Sequence, residues 1–180
     1  MNAAALVREI EEQSQQLIGG QTIELKTNLG TSHYRRLSDE EVFQRISIVF
    51  QHLAEWLISR DESALRREGE ALGKKRFAEG VPLGQVVLAL ILNEKYLWNL
   101  PGISAQQVDK DIRGAVTEFF QRHAYYTAKG YEVELAESNR LAKRAAVPQP
   151  AAETPAKKAP DKAEADMEIS RGGQVGELGG

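Results

Sequence analysis

The strongest pattern in the sequence is a helical one, and it begins at a serine. In the segment 38–61, Ser38 and Glu41 have the Ser-x-x-Glu spacing of a capping box, in which each side chain satisfies a free backbone N–H of the first helical turn. Apolar residues then recur at three- and four-residue steps: Val42, Phe43, Ile46, Val49, Phe50, Leu53, Trp56 and Leu57. This spacing predicts a long amphipathic helix with one buried face.

The most apolar segment comes later, around residues 83–98. Its uninterrupted apolar run covers only residues 86–92, with Gln85 before it and Asn93, Glu94 and Lys95 after it. A membrane span needs about 20 mainly apolar residues, so this run is too short to cross a bilayer. A short helix that is apolar nearly all round is instead expected at the centre of a helical bundle.

The remaining helices are predicted from weaker signals. Residues 1–18 are helical in pattern, and Gly19-Gly20 is expected to end that helix, leaving residues 21–37 as an irregular connection. Another helix is predicted from near Asp61 to Gly80, with Pro82 in the first turn of the helix that follows. Gly69 and Gly73 lie one turn apart in it, which indicates close approach of a neighbouring helix or a poorly formed one.

The last predicted helix is long. Ser104 and Gln107 have capping-box spacing, and the helical pattern persists from there to about residue 144, which is roughly 60 Å at about 1.5 Å per residue. That length exceeds the width of a small bundle, so its C-terminal end is expected to project. The predicted fold is therefore an all-α helical bundle with a long C-terminal helix.

These patterns divide the chain into two regions. Residues 1–144 are predicted to form the helical domain, and residues 145–180 a disordered tail, because four prolines and a Gly-rich end leave no apolar face to bury. The prolines are Pro148, Pro150, Pro155 and Pro160. The tail is expected to be dispensable for folding.

Composition excludes several functional classes. The formal net charge is -3, so the chain as a whole does not attract nucleic acid. A local basic surface at Arg66, Arg67, Lys74, Lys75 and Arg76 is interspersed with glutamates and is read as a solvated helix face. The chain has no cysteine, and charges near its N-terminus argue against a secretion signal, so a cytoplasmic protein is expected.

Three histidines are the candidates for metal, haem or base chemistry. His123 lies on the apolar face of the last helix, which makes it a weak candidate haem or ligand-binding residue, although a packed core or interface histidine is the more common case. His52 and His33 have no metal-ligand spacing, and no nucleophile–base pair or paired carboxylates are apparent. No metal site, no resident cofactor and no enzymatic activity are expected.

Three stretches resemble one protein family. They are residues 73–89, where Gly73, Arg76, Gly80, Val81, Pro82, Leu83, Val86 and Ala89 match, closed by Leu97-Trp98; YRRLSDEEVFQRI at residues 34–46; and FFQRHAYYTAKGYE at residues 119–132. The chain from about residue 5 to 140 resembles the N-terminal domain of RsbT co-antagonist proteins, the RsbR/RsbRD stressosome regulators. The resemblance implies a globin-like sensor domain, usually without haem, that dimerises and passes a signal down its last helix.

The resemblance does not extend to an output domain. In RsbR-like proteins the projecting helix leads into a STAS domain, whereas residues 145–180 have no strand pattern. The expected function is a non-enzymatic signalling or scaffold module with a signalling protein partner, and the alternative is a haem- or small-ligand-binding sensor. Seven-residue spacing on the last helix predicts a homodimer through Phe119, His123, Tyr126, Gly130 and Val133.

Overall fold

The computed structural model describes residues 1–146, and within them the chain is helical without a strand. The six α-helices are α1 (Ala3–Glu12), α2 (Ser14–Thr27), α3 (Asp39–Ser59), α4 (Glu62–Ala78), α5 (Leu83–Leu97) and α6 (Lys110–Ala145). Two short 3₁₀ turns, Leu29–Thr31 and Tyr34–Arg36, connect α2 to α3. The predicted all-α class is therefore confirmed.

The capping signals at α3 and α4 act as predicted. Ser38 Oγ accepts from the Glu41 backbone N–H at 3.1 Å, and Glu41 Oε2 accepts from the Ser38 N–H at 2.9 Å. Asp61 Oδ1 accepts from the N–H groups of Ser63 and Ala64. Arg60, in the left-handed region at φ 54°, ends α3 and turns the chain directly into α4.

The core lies between α3, α5 and the helices around them. The predicted stripe of α3 is buried, with Phe43 only partly covered, and α5 contacts α2, α4 and α6. Leu90 is 3% exposed, while its neighbour Ile91 is 54% exposed. The burial predicted for this helix is thus confirmed at Leu90, but α5 is not surrounded by other helices, because one side of it reaches solvent. Among residues 1–146 no helix is both long and apolar enough to span a membrane.

The closest helix pair is α4 with α6, and glycines make it possible. A Cβ added to Gly69 would lie 2.6 Å from Tyr126 Cβ, and one added to Gly73 would lie 2.6 Å from the Tyr131 backbone nitrogen. On the facing helix, a Cβ at Gly130 would lie 2.7 Å from Glu70 Cα. Of the two explanations for Gly69 and Gly73, close approach of a neighbouring helix is therefore the right one.

The N-terminal prediction was wrong in detail. The helix does not stop at Gly19-Gly20, because α2 continues through both glycines to Thr27, and the break falls earlier at Gln13. Gly20 lies against the ring of Tyr96, where a Cβ would lie 2.9 Å from Cζ. Packing against α5 thus outweighs the weak helix propensity of glycine.

The predicted start of the last helix was also wrong. Residues 104–109 are not helical, with a turn at 105–107, and α6 begins at Lys110 rather than at Ser104. Ser104 accepts from the Gln107 N–H through its backbone carbonyl, at 2.9 Å, instead of through its side chain. Ile103 and Val108 are buried, and the Asp109 N–H donates to the Met1 carbonyl at 3.1 Å. Burial of the connection against the bundle prevents the extra helical turns.

Two smaller points concern the helix ends. Pro82 lies just before α5, at the capping position rather than inside the first turn. The helical unit extends to Ala145, one residue beyond the predicted limit, and the predicted disordered tail lies otherwise outside the described residues.

Candidate functional site

The predicted interaction residues on α6 divide into two groups. Phe119, His123 and Gly130 are buried inside the chain's own fold, facing α3 and α4. Tyr126 is partly buried, and its hydroxyl donates to Glu62 Oε1 at 2.6 Å. Val133 is 52% exposed. The aromatic face is therefore occupied within one chain as far as Gly130. Beyond it, Tyr131 packs on Phe77 and Glu134 pairs with Lys74, whereas Val133 is exposed.

His123 lies at the centre of the α3–α4–α6 contact. It is 1% exposed, with the ring of Phe119 at 5.2 Å and that of His52 at 6.1 Å between centroids. Neither of its ring nitrogens has a hydrogen-bond partner in the part of the chain that the structure describes. A buried imidazole normally satisfies its polar nitrogens, so this one is unusual.

The environment of His123 fixes its charge. Burial, together with a smaller effect of the nearby His52, lowers the pKa of His123 from 6.5 to about 3. The ring is therefore neutral at pH 7, with one nitrogen carrying a proton to donate and the other able to accept.

A haem does not fit beside His123. The adjoining cavity, between α3 and α4, holds about 180 Å³, whereas pockets for drug-sized ligands begin at about 300 Å³. The rings of Phe119 and His52 occupy space on which a porphyrin bound to His123 would depend. The residues present thus do not support His123 as a haem ligand.

Two arginines line the same cavity, Arg76, which is buried, and Arg45, which is partly buried. Arg76 of α4 is 5% exposed and donates through Nη1 to Glu79 Oε2 at 2.6 Å. Arg45 of α3 reaches the same oxygen through Nη2 at 3.1 Å. Its second terminal nitrogen, Nη1, is buried and finds no acceptor within residues 1–146. The Glu79 carboxylate therefore pairs with both guanidinium groups, and Nη1 of Arg45 is left without an acceptor among the described residues.

Sequence reasoning missed this cluster and misplaced Arg76. Arg76 was assigned to a solvated basic surface, but it lies in the core, three residues after the buried Gly73. The signal was present, since Leu65, Gly69, Leu72 and Arg76 follow one another at three- and four-residue steps. A charged residue on an inward-facing stripe is uncommon, and its appearance there points to a partner or a function.

Two more buried polar side chains, Tyr34 and Asn93, line a void beside the two arginines. Tyr34 is 4% exposed, and burial raises its pKa while the charges of Arg76 and Arg45 oppose that rise. Asn93 of α5 is 3% exposed, and its Oδ1 has no partner among the described residues. Both side chains line a small void of about 30 Å³ that shares Arg45 and Arg76 with the larger cavity. Arg45 and Arg76 thus line both the small void and the larger cavity.

Metal chemistry is not indicated by the geometry of residues 1–146. No three His, Cys, Asp or Glu side chains in that range are grouped to hold a metal ion. The chain has no cysteine to add a thiolate. Three side chains with buried atoms that lack a partner among the described residues, Arg45, His52 and His123, instead line one cavity.

Comparison with known proteins adds no assignment. No family model matches the chain, and neither a curated protein nor a solved structure matches it.

Proposed function

We propose that this protein is a non-enzymatic signalling or scaffold module that forms a homodimer through the projecting end of α6. The proposal rests on the helical architecture together with the sequence resemblance to RsbR-type N-terminal domains. That resemblance extends the proposal to a globin-like arrangement of the helices, a cytoplasmic location and a signalling protein as the partner, without haem.

One observation carries the proposal. The last buried residue of α6 is Gly130, yet the helix continues to Ala145, which is about 22 Å further at about 1.5 Å per residue. On one side of this projecting segment, Val133 is 52% exposed and Leu141 is 53% exposed. A free helix of this length is marginal in water, so a second helix packed beside it would supply the missing cover.

The α4–α6 contact supports a relay role for the same helix. Contacts advance along both helices together, from Glu62 beside Tyr126 to Lys74 beside Glu134, so the two helices run in the same direction. Their glycines bring backbone against backbone, with no flexible side chain between to absorb a displacement. A shift of α4 would therefore move α6, and with it the dimer contact.

Sedimentation equilibrium across a concentration series tests the dimer. The expected result is a dimer in the wild-type protein at about 100 μM, a concentration well above the dissociation constants of stable specific dimers. Val133→Glu and Leu141→Glu, eight residues apart on one side of the helix, should each raise the dissociation constant. Their helical content by circular dichroism should stay near that of the wild type.

The matched control is Asn139→Glu. It adds the same charge to the same exposed segment but lies about half a turn from Leu141 around the helix. It should leave the dissociation constant within about twofold of the wild type, which is about 0.4 kcal/mol. A wild-type protein that stays monomeric, or an Asn139→Glu variant weakened as much as Val133→Glu, would contradict the proposal.

A further inference from the structure

A long groove runs between α1 and α3 and past the start of α2. Its volume is about 580 Å³, within the range of known ligand pockets. Along α3 the lining extends from Phe43 to Ile58, which is about 22 Å at about 1.5 Å per residue. On the opposite wall it extends from Val7 in α1 to Ile18 in α2. The groove is therefore as long as about four helical turns, which suits an elongated occupant.

The groove presents apolar side chains at helical spacing on both walls. The largest of these side chains are Val7, Ile10, Ile18, Phe43, Phe50 and Ile58. Four of them are buried and form the floor, whereas Phe43 is partly exposed and Ile58 is 74% exposed. An amphipathic helix that binds in a groove buries its own apolar residues at three- and four-residue steps. Phe43 and Ile58 are thus available for contact with such a helix.

The charged groups in the lining of the groove are carboxylates. Glu11 of α1 lies on one wall and Glu55 of α3 on the other, and both side chains are exposed. Neither carboxylate forms an ion pair within residues 1–146. The part of α2 that lines the groove has no charged residue. An occupant with cations on both of its flanks would therefore match both walls.

The cations of the two walls do not balance these carboxylates. In α1, one arginine stands against three glutamates, and in α3 one arginine stands against four carboxylates. Arg8 of α1 is exposed and lies outside the lining. The other cationic groups in or beside α3 have contacts outside the groove: Arg45 with Glu79, His52 with Glu68, and Arg60 over the ring of Trp56. Both helices that form the groove are thus net acidic.

We propose that this groove binds an amphipathic helix of a partner protein, whose apolar stripe is flanked on both sides by lysine or arginine. The apolar stripe covers Phe43 and Ile58, and the flanking cations pair with Glu11 and Glu55. The inference rests on the proposed function only in requiring a partner protein. It is independent of the proposed dimer, because the dimer contact lies on α6.

Fluorescence anisotropy of a labelled synthetic peptide tests the groove in the full-length protein. The peptide has about 18 residues, with leucines on one face of the helix and lysines on the rest. At about 150 mM salt, which screens exposed charges beyond about 8 Å, the expected dissociation constant is about 10 μM or lower. One control peptide has its leucines scattered around the helix, and the other has glutamate in place of each lysine. Each control should bind at least about tenfold more weakly.

Charge reversal at exposed positions locates the contact without disturbing the core. Glu11→Lys and Glu55→Lys should each weaken binding of the leucine–lysine peptide by about fivefold or more, which is about 1 kcal/mol. Glu132→Lys makes the same charge change at an exposed position on α6 outside the groove. It should keep the dissociation constant within about twofold of the wild type.

A second pair of variants tests the apolar contact. Ile58→Gln removes an apolar side chain that is 74% exposed, so the fold should be retained while peptide binding weakens by about fivefold. Ile91→Gln makes the same change on α5, outside the groove, at a side chain that is 54% exposed. Its affinity for the peptide should equal that of the wild type.

Several results would overturn the inference. An absence of saturable binding at about 100 μM protein would leave the groove without a helical ligand. Equal binding of either control peptide would reduce the effect to general charge attraction or general apolar contact. Losses in Glu132→Lys or Ile91→Gln as large as those in the groove variants would place the site elsewhere.

Sedimentation equilibrium separates this site from the proposed dimer. Glu11→Lys and Ile58→Gln should leave self-association of the chain unchanged while they weaken peptide binding. If either variant weakens a dimer as much as Val133→Glu does, a second copy of the chain occupies the groove and the assigned partner is wrong. A monomeric wild-type protein that still binds the peptide through Glu11 and Glu55 would contradict the dimer alone.

Discussion

Gly73 of α4 lies against the backbone of Thr127 in α6, so closely that a Cβ on the glycine would overlap the Thr127 carbonyl oxygen. One turn earlier, Gly69 faces Tyr126, and Gly130 of α6 faces the backbone of Glu70. Three glycines thus set the separation of the two helices. Any side chain at Gly73 or Gly130 would have to push backbone away from backbone.

The first prediction is that Gly73→Ala and Gly130→Ala each destabilise the protein by about 1–3 kcal/mol or more, because the clash is with rigid backbone atoms. Chemical denaturation by urea measures the change. Gly114→Ala is the control on the same helix, since a Cβ there meets nothing within 4 Å. It should stabilise the protein by up to about 1 kcal/mol through helix propensity. Stabilisation by Gly73→Ala would contradict the close packing.

The second prediction compares two adjacent residues of α5. Leu90→Asp should unfold the protein, because Leu90 is 3% exposed and an unpaired carboxylate in the core costs several kcal/mol of a total of roughly 5–15. Ile91→Asp places the same carboxylate one residue later, where the side chain is 54% exposed, and should leave the melting temperature nearly unchanged. If both variants melt alike, the burial assigned to α5 is wrong.

Sequence patterns predicted the parts of the fold that local chemistry determines. The α3 stripe and its cap were predictable because Ser38, Glu41 and the apolar residues that follow all act within one helix. The helix end predicted at Gly19-Gly20 and the helix start predicted at Ser104 were both wrong, because residues distant in sequence determine the structure there. Tyr96 packs on Gly20, and Met1 bonds to the connection before α6.

The candidate site was less predictable for a related reason. The inward position of Arg76 follows its spacing from Gly73, but its charge made a solvated position the expected one. The aromatic face of α6 predicted an apolar contact at Phe119 and His123 without distinguishing a partner chain from the chain's own α3 and α4. Periodicity reports that a face is covered and does not report what covers it.

The third prediction separates the two capping boxes indicated by the sequence. Ser38→Ala should cost about 1 kcal/mol, because Ser38 Oγ accepts from the Glu41 N–H at the start of α3. Ser104→Ala should cost much less, because Ser104 lies in a turn and bonds to Gln107 through its backbone. Urea denaturation of both variants measures the difference. Equal losses would mean that Ser104 also caps a helix in solution.

The last prediction concerns acid stability and follows from the buried, neutral His123. The pKa of His123 falls from its ordinary value of 6.5 to about 3 on folding, so between these pH values the unfolded chain binds a proton that the folded chain does not. Stability is therefore unaffected by His123 above pH 6.5 and is lost as the pH falls, at about 1.4 kcal/mol per unit. Between pH 7 and pH 5 the loss should be about 2 kcal/mol.

Substitution isolates this contribution from that of the other titrating groups. His123→Phe and His123→Gln should each flatten the dependence of the unfolding free energy on pH by about 2 kcal/mol between pH 7 and pH 5, whatever their effect at pH 7. The slope of the unfolding free energy against pH is the quantity to compare. Repacking around residue 123 changes the unfolding free energy equally at every pH and leaves this slope unchanged. A wild-type slope retained in both His123 variants would show that this ring is protonated in the folded protein or is not buried as described.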